Sequence, residues 1–257
     1  MNNSDYSRLL KKQTENSFNA GGIEFYLGYL YSKLKQECNL KYLMLELGAG
    51  AGISLKYLAG YKIQRTDLLA TNAEGIQGGV DAQNLPFESN KFDLIIGMDF
   101  FHHIQNPTRA LNEMKRVLKI NGHGTQVMMI EPYVSLISYL PYKLFHDEET
   151  SLFRNRRLRE PVVGPNASDG DQTLPRLYFC SSVGKKIVQS IFEPHLYQID
   201  IQYISVLSFF ITGGINRPLP TPIWLVQALC AIESRLPRII LRLAASRIII
   251  RINRRSD

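Results

Sequence analysis

Residues 45–52 read LELGAGAG, an acid followed by glycines at 48, 50 and 52, and no other stretch constrains the fold as much. Glycines at alternate positions permit positive φ and let backbone N–H groups approach a ligand with no Cβ in the way. The apolar run Tyr42-Leu43-Met44-Leu45 before it suits a buried parallel strand, and ISLKYLAGY after it suits the start of a helix. The loop therefore sits at the carboxyl end of a strand, where doubly wound α/β sheets bind nucleotide-type ligands.

The rest of the chain continues that pattern. Residues 5–18 read as a polar helix and 23–36 as an amphipathic one ahead of the first strand. Tyr61 to Thr66 forms a second strand ending at Asp67, and Gly78-Gly79-Val80 leads into a short third one ending near Asp81. LLATNAEGIQGG between them leaves too little chain for a full crossover helix, so a turn is expected. Phe92 to Met98 is a strongly apolar fourth strand. Residues 106–120 are a helix with Pro107 in its first turn, and Gly124 to Ile130 is a fifth strand. Strands alternating with helices or turns over about ninety residues predict a parallel sheet with right-handed crossovers.

After Tyr133 the alternation breaks. Residues 133–181 carry prolines, Arg154, Arg156, Arg157 and Arg159, and the turn-rich VVGPNASDGDQTLP, which imply an insertion over the strand ends. A helix at 183–192 and a strand at 196–205 come next. A second insertion, 206–245, precedes an alternating last strand at 246–254. One domain over 1–257 is expected: N-terminal helices in 1–40, a ligand-binding core in 41–132, an insertion in 133–181, a helix and sixth strand in 182–205, a second insertion in 206–245, and a last strand with a basic tail in 246–257.

At 257 residues and 45% apolar composition the chain can bury a full core. Cys38, Cys180 and Cys230 are odd in number and far apart, which suits a reducing compartment and points to the cytoplasm. No apolar run is long enough to cross a bilayer. Of the net charge of +7, most lies in residues 221–257, which hold seven arginines against Glu233 and Asp257. Interleaved with Trp224, Val226 and many isoleucines and leucines, these arginines make either a solvated helical face or a basic amphipathic surface for peripheral contact with the inner membrane.

Four features in order and in register resemble class I S-adenosylmethionine-dependent methyltransferases of the broad small-molecule group. They are LELGAGAG at 45–52, Asp67, VDAQNLPF at 80–87, and FDLIIGMDFFHHI running into RVLKINGHG at 92–124. The resemblance spans residues 43–133 closely and 183–254 loosely. It implies a Rossmann-like seven-stranded sheet, mostly parallel with an antiparallel last strand, and S-adenosylmethionine as cofactor. Residue by residue it implies that Glu46 helps hold the methionine end, and that Gly48, Ala49, Gly50 and Gly52 shape the loop beneath it. Asp67, followed by Leu68, would accept both ribose hydroxyls. Asp81 would accept from the adenine amino group, with the Ala82 N–H reaching a ring nitrogen, and Asp99 and Phe100 would line the methyl side.

Two other cofactor readings are weaker. A dinucleotide loop, G-x-G-x-x-G, requires its third glycine at position 53, which is Ile53, and a phosphate loop requires a Gly-Lys-Ser/Thr that is missing. No Asn-Pro-Pro-Tyr-like run follows the fourth strand, which disfavours nucleic acid as substrate. His102 and His103 are candidate general bases for an acidic acceptor, as is His146. His146 with Asp147, Glu148 and Glu149 looks like a metal cluster, but four adjacent residues do not converge on one ion, so no metal is expected. The insertions should build the acceptor site. Tyr133, Tyr139, Tyr142, Tyr178, the arginines and Asn166 suit a sugar, and LFHDEE, GPNASDG and LPRLYF resemble methyltransferases of bacterial surface-polysaccharide synthesis. A quinone or other isoprenoid is the competing acceptor, and a non-catalytic cofactor-binding or assembly module is the competing class.

Overall fold

The computed structural model describes residues 11–13, 15, 21–69, 74–145, 148–152 and 170–255. A seven-stranded sheet runs through it in the order β3-β2-β1-β4-β5-β7-β6. The strands are β1 (Met44–Leu47), β2 (Ile63–Thr66), β3 (Ile76–Gln77), β4 (Leu94–Met98), β5 (Gly124–Pro132), β6 (Tyr197–Ile204) and β7 (Arg247–Arg254). The first five pair in parallel. β7 is antiparallel to both β5 and β6, as expected of the last strand.

Strand side chains alternate between two apolar layers, and this period of two is what sandwiches the sheet between helices. Met44, Leu94, Ile96, Met128, Ile130 and Ile249 face α1 (Gly21–Lys35) and α7 (Ile223–Glu233). Leu45, Leu47, Ile95, Val127, Met129 and Ile250 face α3 (Pro107–Val117), α5 (Leu174–Cys180) and α6 (Ser182–Ile191). Each such side chain removed from water contributes roughly 1.5–3 kcal/mol. The remaining helices are α2 (Ser54–Tyr57), α4 (Tyr139–Phe145) and α8 (Arg238–Ala244).

Local signals set several boundaries. Asn106 caps α3 by accepting from Arg109 N at 3.0 Å, and Pro107 occupies the first turn where its missing N–H costs nothing. The third strand differs from the sequence reading, because it lies at 76–77 and ends before the glycines. Gly79 has φ +74°, a conformation that leaves the strand, so Val80 and Asp81 lie in a loop. Val80 N still donates to Asp67 O at 2.9 Å, which keeps that loop beside the end of β2. The helix after the glycine loop is a single turn, with Gly60 at φ +85° shortly beyond it. The expected helix at 5–18 lies almost wholly outside the described residues, as do His146, Asn166 and the four arginines at 154–159.

Candidate active site

The glycine loop is shaped from below by Phe100. A Cβ on Gly48 would lie 2.3 Å from Phe100 Cβ, and one on Gly97 would lie 2.3 Å from Phe100 Cε1, so both glycines make room for that buried ring. Gly50 is a different case. Its φ is +49°, and a Cβ there would meet nothing nearer than Gly48 O at 3.9 Å, so the open side of the loop is at Gly50. Asp67 reaches the same place, accepting from Gly50 N through Oδ2 at 2.8 Å and from Leu69 N through Oδ1 at 3.0 Å. A carboxylate beside uncrowded glycine backbone fits a ligand carrying a ribose diol.

The other predicted cofactor residues surround this point. Glu46 is buried, accepts from Ser54 Oγ at 2.5 Å, and lies 3.4 Å from Arg65 Nε. Burial raises its pKa to about 7, although the Ser54 hydrogen bond and Arg65 act in the opposite direction. Ala49 N donates to Thr66 O at 2.9 Å, and Gly52 N to Ala49 O at 2.8 Å. Leu68 is exposed. Asp81 accepts from Gln83 N at 2.8 Å and from Gln83 Nε2 at 3.0 Å, while Ala82 packs against the core.

Just past β4 the chain makes a strained corner. Asp99 has φ +54°, a conformation that costs a non-glycine residue roughly 1–3 kcal/mol. Two long-range contacts hold it there: its N–H donates to Ile130 O at 3.0 Å, and its Oδ1 accepts from Arg247 Nη1 at 2.5 Å. Arg247 is buried, with its guanidinium 4.5 Å from the centre of the Phe209 ring.

The 3₁₀ turn Phe101–His103 follows, and the amides at its start converge on Glu131 near the end of β5. Glu131 is fully buried and accepts from Phe100 N at 3.0 Å and Phe101 N at 2.9 Å, which satisfies groups a helix start leaves unpaired. It also holds His102, with Nδ1 2.8 Å from Glu131 Oε2. On the other side of the ring, His102 Nε2 lies 3.5 Å from Glu148 Oε2. Burial works against a charge on His102, but hydrogen bonds to Glu131 and Glu148 outweigh it and raise its pKa to about 10. His103 is less enclosed, its Nε2 3.9 Å from Glu148 Oε1.

Of the predicted residues, the structure brings Gly50 and Asp67 into contact, sets Phe100 under Gly48, and places His102 against His103 with ring centres 4.1 Å apart. Sequence reasoning missed Glu131 and Arg247, and it named Glu148 only within an acidic run set aside as a metal cluster. For Glu131 a signal existed, since an acid directly after the apolar fifth strand occupies the ligand-facing end of the sheet. The aromatics read as a sugar platform are mostly structural. Tyr142 donates to Ser246 O at 2.6 Å and Tyr133 to Arg242 O at 3.1 Å, while Tyr178 lies within 3.2 Å of the Thr108 hydroxyl.

Residues 45–124 match the methyltransferase domain family. The glycine/sarcosine/dimethylglycine N-methyltransferase of Actinopolyspora halophila is 30% identical over 109 residues, covering 36% of this chain; the chain spans only 19% of that protein. Among solved structures, phosphoethanolamine N-methyltransferase 2 of Haemonchus contortus superposes with a TM-score of 0.52 at 12% identity, covering 96% of this chain and 57% of that one. An S-adenosylmethionine-dependent methyltransferase of Archaeoglobus fulgidus gives a TM-score of 0.45 at 12% identity, covering 88% and 93%. The matched segment contains the glycine loop, Asp67, Asp81 and the 99–103 corner, and the sheet around it has the strand order and antiparallel β7 of the same fold. Residues 45–124 are thus similar to the methyltransferase domain family, and they lie in a seven-stranded sheet with the fold of those solved methyltransferases.

Proposed function

We propose that the chain transfers a methyl group from S-adenosylmethionine to a hydroxyl of a small molecule, and that the acceptor is a sugar of a lipid-carried or surface glycan. The observation that carries the donor site is the meeting of Asp67 with the open glycine loop at Gly50. When bound, S-adenosylmethionine supplies a methyl group on a sulfonium, open to in-line attack. The protein's task is then to align the two reactants and exclude water. In this reading Asp67 accepts the ribose hydroxyls, with Leu68 beside it. Asp81 and the Ala82 N–H hold adenine. Glu46 helps to anchor the methionine end above Gly48, Ala49, Gly50 and Gly52. Asp99 and Phe100 flank the methyl group, and His102 and His103 face the acceptor.

A lipid-carried acceptor is supported by an apolar, basic surface on the two insertions. Leu140, Leu144 and Phe145 on α4 and Ile239, Ile240 and Leu243 on α8 are all exposed. The two segments are tied by Ile137 N donating to Leu243 O at 3.1 Å. Lys143, Arg235, Arg238 and Arg242 lie on or next to those helices, the combination expected of a face that rests on anionic lipid. Among the described residues no helix is long and apolar enough to cross a membrane. An amine acceptor is the second reading, favoured by the relative named for N-methylation of glycine, sarcosine and dimethylglycine.

The test is methyl transfer from radiolabelled S-adenosylmethionine in three parallel reactions: a lipid-linked glycan fraction, glycine with sarcosine, and a quinone precursor. Label in the glycan fraction supports the proposal. Label in the amines or the quinone, with none in the glycan, rejects that acceptor while keeping methyl transfer. Absence of S-adenosylmethionine binding in calorimetry would favour an assembly module and reject the enzyme reading.

A further inference from the structure

We propose that His102, His103 and Glu148 form a binding site for a divalent transition-metal ion. One imidazole nitrogen from each histidine and one carboxylate oxygen of Glu148 all lie within 4.8 Å of one another. Two of the separations are shorter still, at 3.5 Å from His102 Nε2 and 3.9 Å from His103 Nε2 to the two Glu148 oxygens. Ligands bonded at about 2.0–2.2 Å to a common ion sit roughly 3–3.5 Å apart, so closure requires side-chain shifts of around an ångström. No local pattern groups these three residues, because β5 and α4 separate Glu148 from His102 in the chain.

The surroundings are built as metal sites are built. Glu131 holds Nδ1 of His102 at 2.8 Å, which orients the ring and directs Nε2 toward Glu148, the carboxylate–histidine arrangement that supports metal ligands. Glu148 is positioned in turn by Gln172, whose Nε2 donates to Oε2. The backbone locks the segments together: Asp171 N donates to His102 O at 2.9 Å, and Glu149 N to Gly170 O at 3.1 Å. Position 170 must be glycine for this approach, because a Cβ there would lie 2.8 Å from His103 Cε1 and 2.9 Å from Glu148 Oε2. Two imidazoles and one carboxylate favour Zn²⁺, Mn²⁺, Fe²⁺ or Co²⁺ over Mg²⁺ or Ca²⁺ and leave coordination positions open. The first of these ligands lies two residues beyond Phe100. An ion there would lower the pKa of an acceptor hydroxyl that coordinates it. That role rests on the proposed methyl transfer; the binding of the ion does not.

The test uses the full chain stripped with a chelator and titrated with Co²⁺ and Zn²⁺. One equivalent of Co²⁺ with visible d–d absorption, displaced by Zn²⁺, supports the site. Affinity should fall at least tenfold in His103→Ala and Glu148→Gln, and about 10–100-fold in Glu131→Gln. Circular dichroism checks that each variant is folded, and His103, the less buried histidine, is the safest to replace. No visible Co²⁺ absorption and no stoichiometric Zn²⁺ uptake by the wild-type protein would overturn the site, as would wild-type affinity in folded His103→Ala and Glu148→Gln. S-Adenosylmethionine calorimetry on the same stripped protein separates the two proposals. Donor binding without metal uptake rejects only the metal site, and metal uptake without donor binding rejects only the methyl-transfer reading.

Discussion

Arg247, the first residue of β7, donates from Nη1 to Asp99 Oδ1 at 2.5 Å, joining an antiparallel strand to the strained corner that follows β4. The two ends of this pair are unequally solvated: the Asp99 side chain is 40% exposed and that of Arg247 is 7% exposed. Removing Asp99's charge therefore strands a buried guanidinium, whereas removing Arg247 leaves a carboxylate that water can reach. Asp99→Asn, which keeps a residue tolerant of positive φ, should lower unfolding free energy by about 3 kcal/mol. Arg247→Met should cost less than half as much. Urea unfolding of both variants measures this, and the reverse order would contradict the account of the pair.

The glycine loop and Asp67 should be separable from the fold. Gly50→Arg places a long cation in the open side of the loop, and Asp67→Ala removes the acceptor from Gly50 N. Both variants should lose at least tenfold in S-adenosylmethionine affinity by calorimetry. Their thermal midpoints should drop by only a few degrees, since neither change touches the two apolar layers. Wild-type affinity in both would move the donor site elsewhere.

Glu46 makes stability depend on pH in a defined direction. The unfolded chain ionises this carboxyl near the ordinary 4.5, whereas the buried side chain keeps its proton up to about 7. Between those values the folded state binds more protons than the unfolded one. The contribution is therefore complete below pH 4.5 and is lost as pH rises through 7, about 3 kcal/mol across the window. Glu46→Gln should flatten that part of the stability–pH curve measured by denaturant unfolding. A variant curve parallel to that of the wild type would mean that Glu46 titrates normally.

The face built by α4 and α8 should bind anionic vesicles. Each arginine near such a surface contributes about 1 kcal/mol, so reversing Arg235, Arg238 and Arg242 to glutamate should lower vesicle partitioning by roughly 100-fold. Co-sedimentation with phosphatidylcholine vesicles, with and without phosphatidylglycerol, is the measurement. Equal binding to both compositions, or no loss in the triple variant, would show that these arginines serve only as solvated surface.

Much of the sheet was legible because strand signals are local. Met44–Leu47, Leu94–Met98 and Gly124–Pro132 are apolar runs bounded by turns, and the alternation in 247–254 reports a strand whose side chains enter both apolar layers. The third strand was misplaced because two residues carry too little pattern to outweigh the glycines beside them. The arginine-rich tail, read throughout as surface, is surface only in part. Arg247 is buried, Arg251 pairs with Glu37 at 2.9 Å, and Arg254 lies against Tyr197, because β7 inserts between β5 and β6 and draws its arginines inward.

The sequence by itself determined the features that short-range chemistry sets: a glycine loop after a buried strand, an acid at the end of the next strand, and hence the doubly wound sheet. Only the tertiary structure decided what surrounds residues 99–103. Glu131, Glu148, Gly170 and Arg247 arrive there from 29 to 148 positions away in the chain. Glu131 apart, whose place after an apolar strand points to the ligand-facing end of the sheet, nothing in their own neighbourhoods predicts the meeting, because the sheet's crossovers and the ends of the first insertion set those distances. Once assembled, two carboxylates around a buried histidine change its protonation, and an arginine packed on an aromatic ring fixes a strained backbone. Both effects depend on burial and proximity, which exist only in the folded chain.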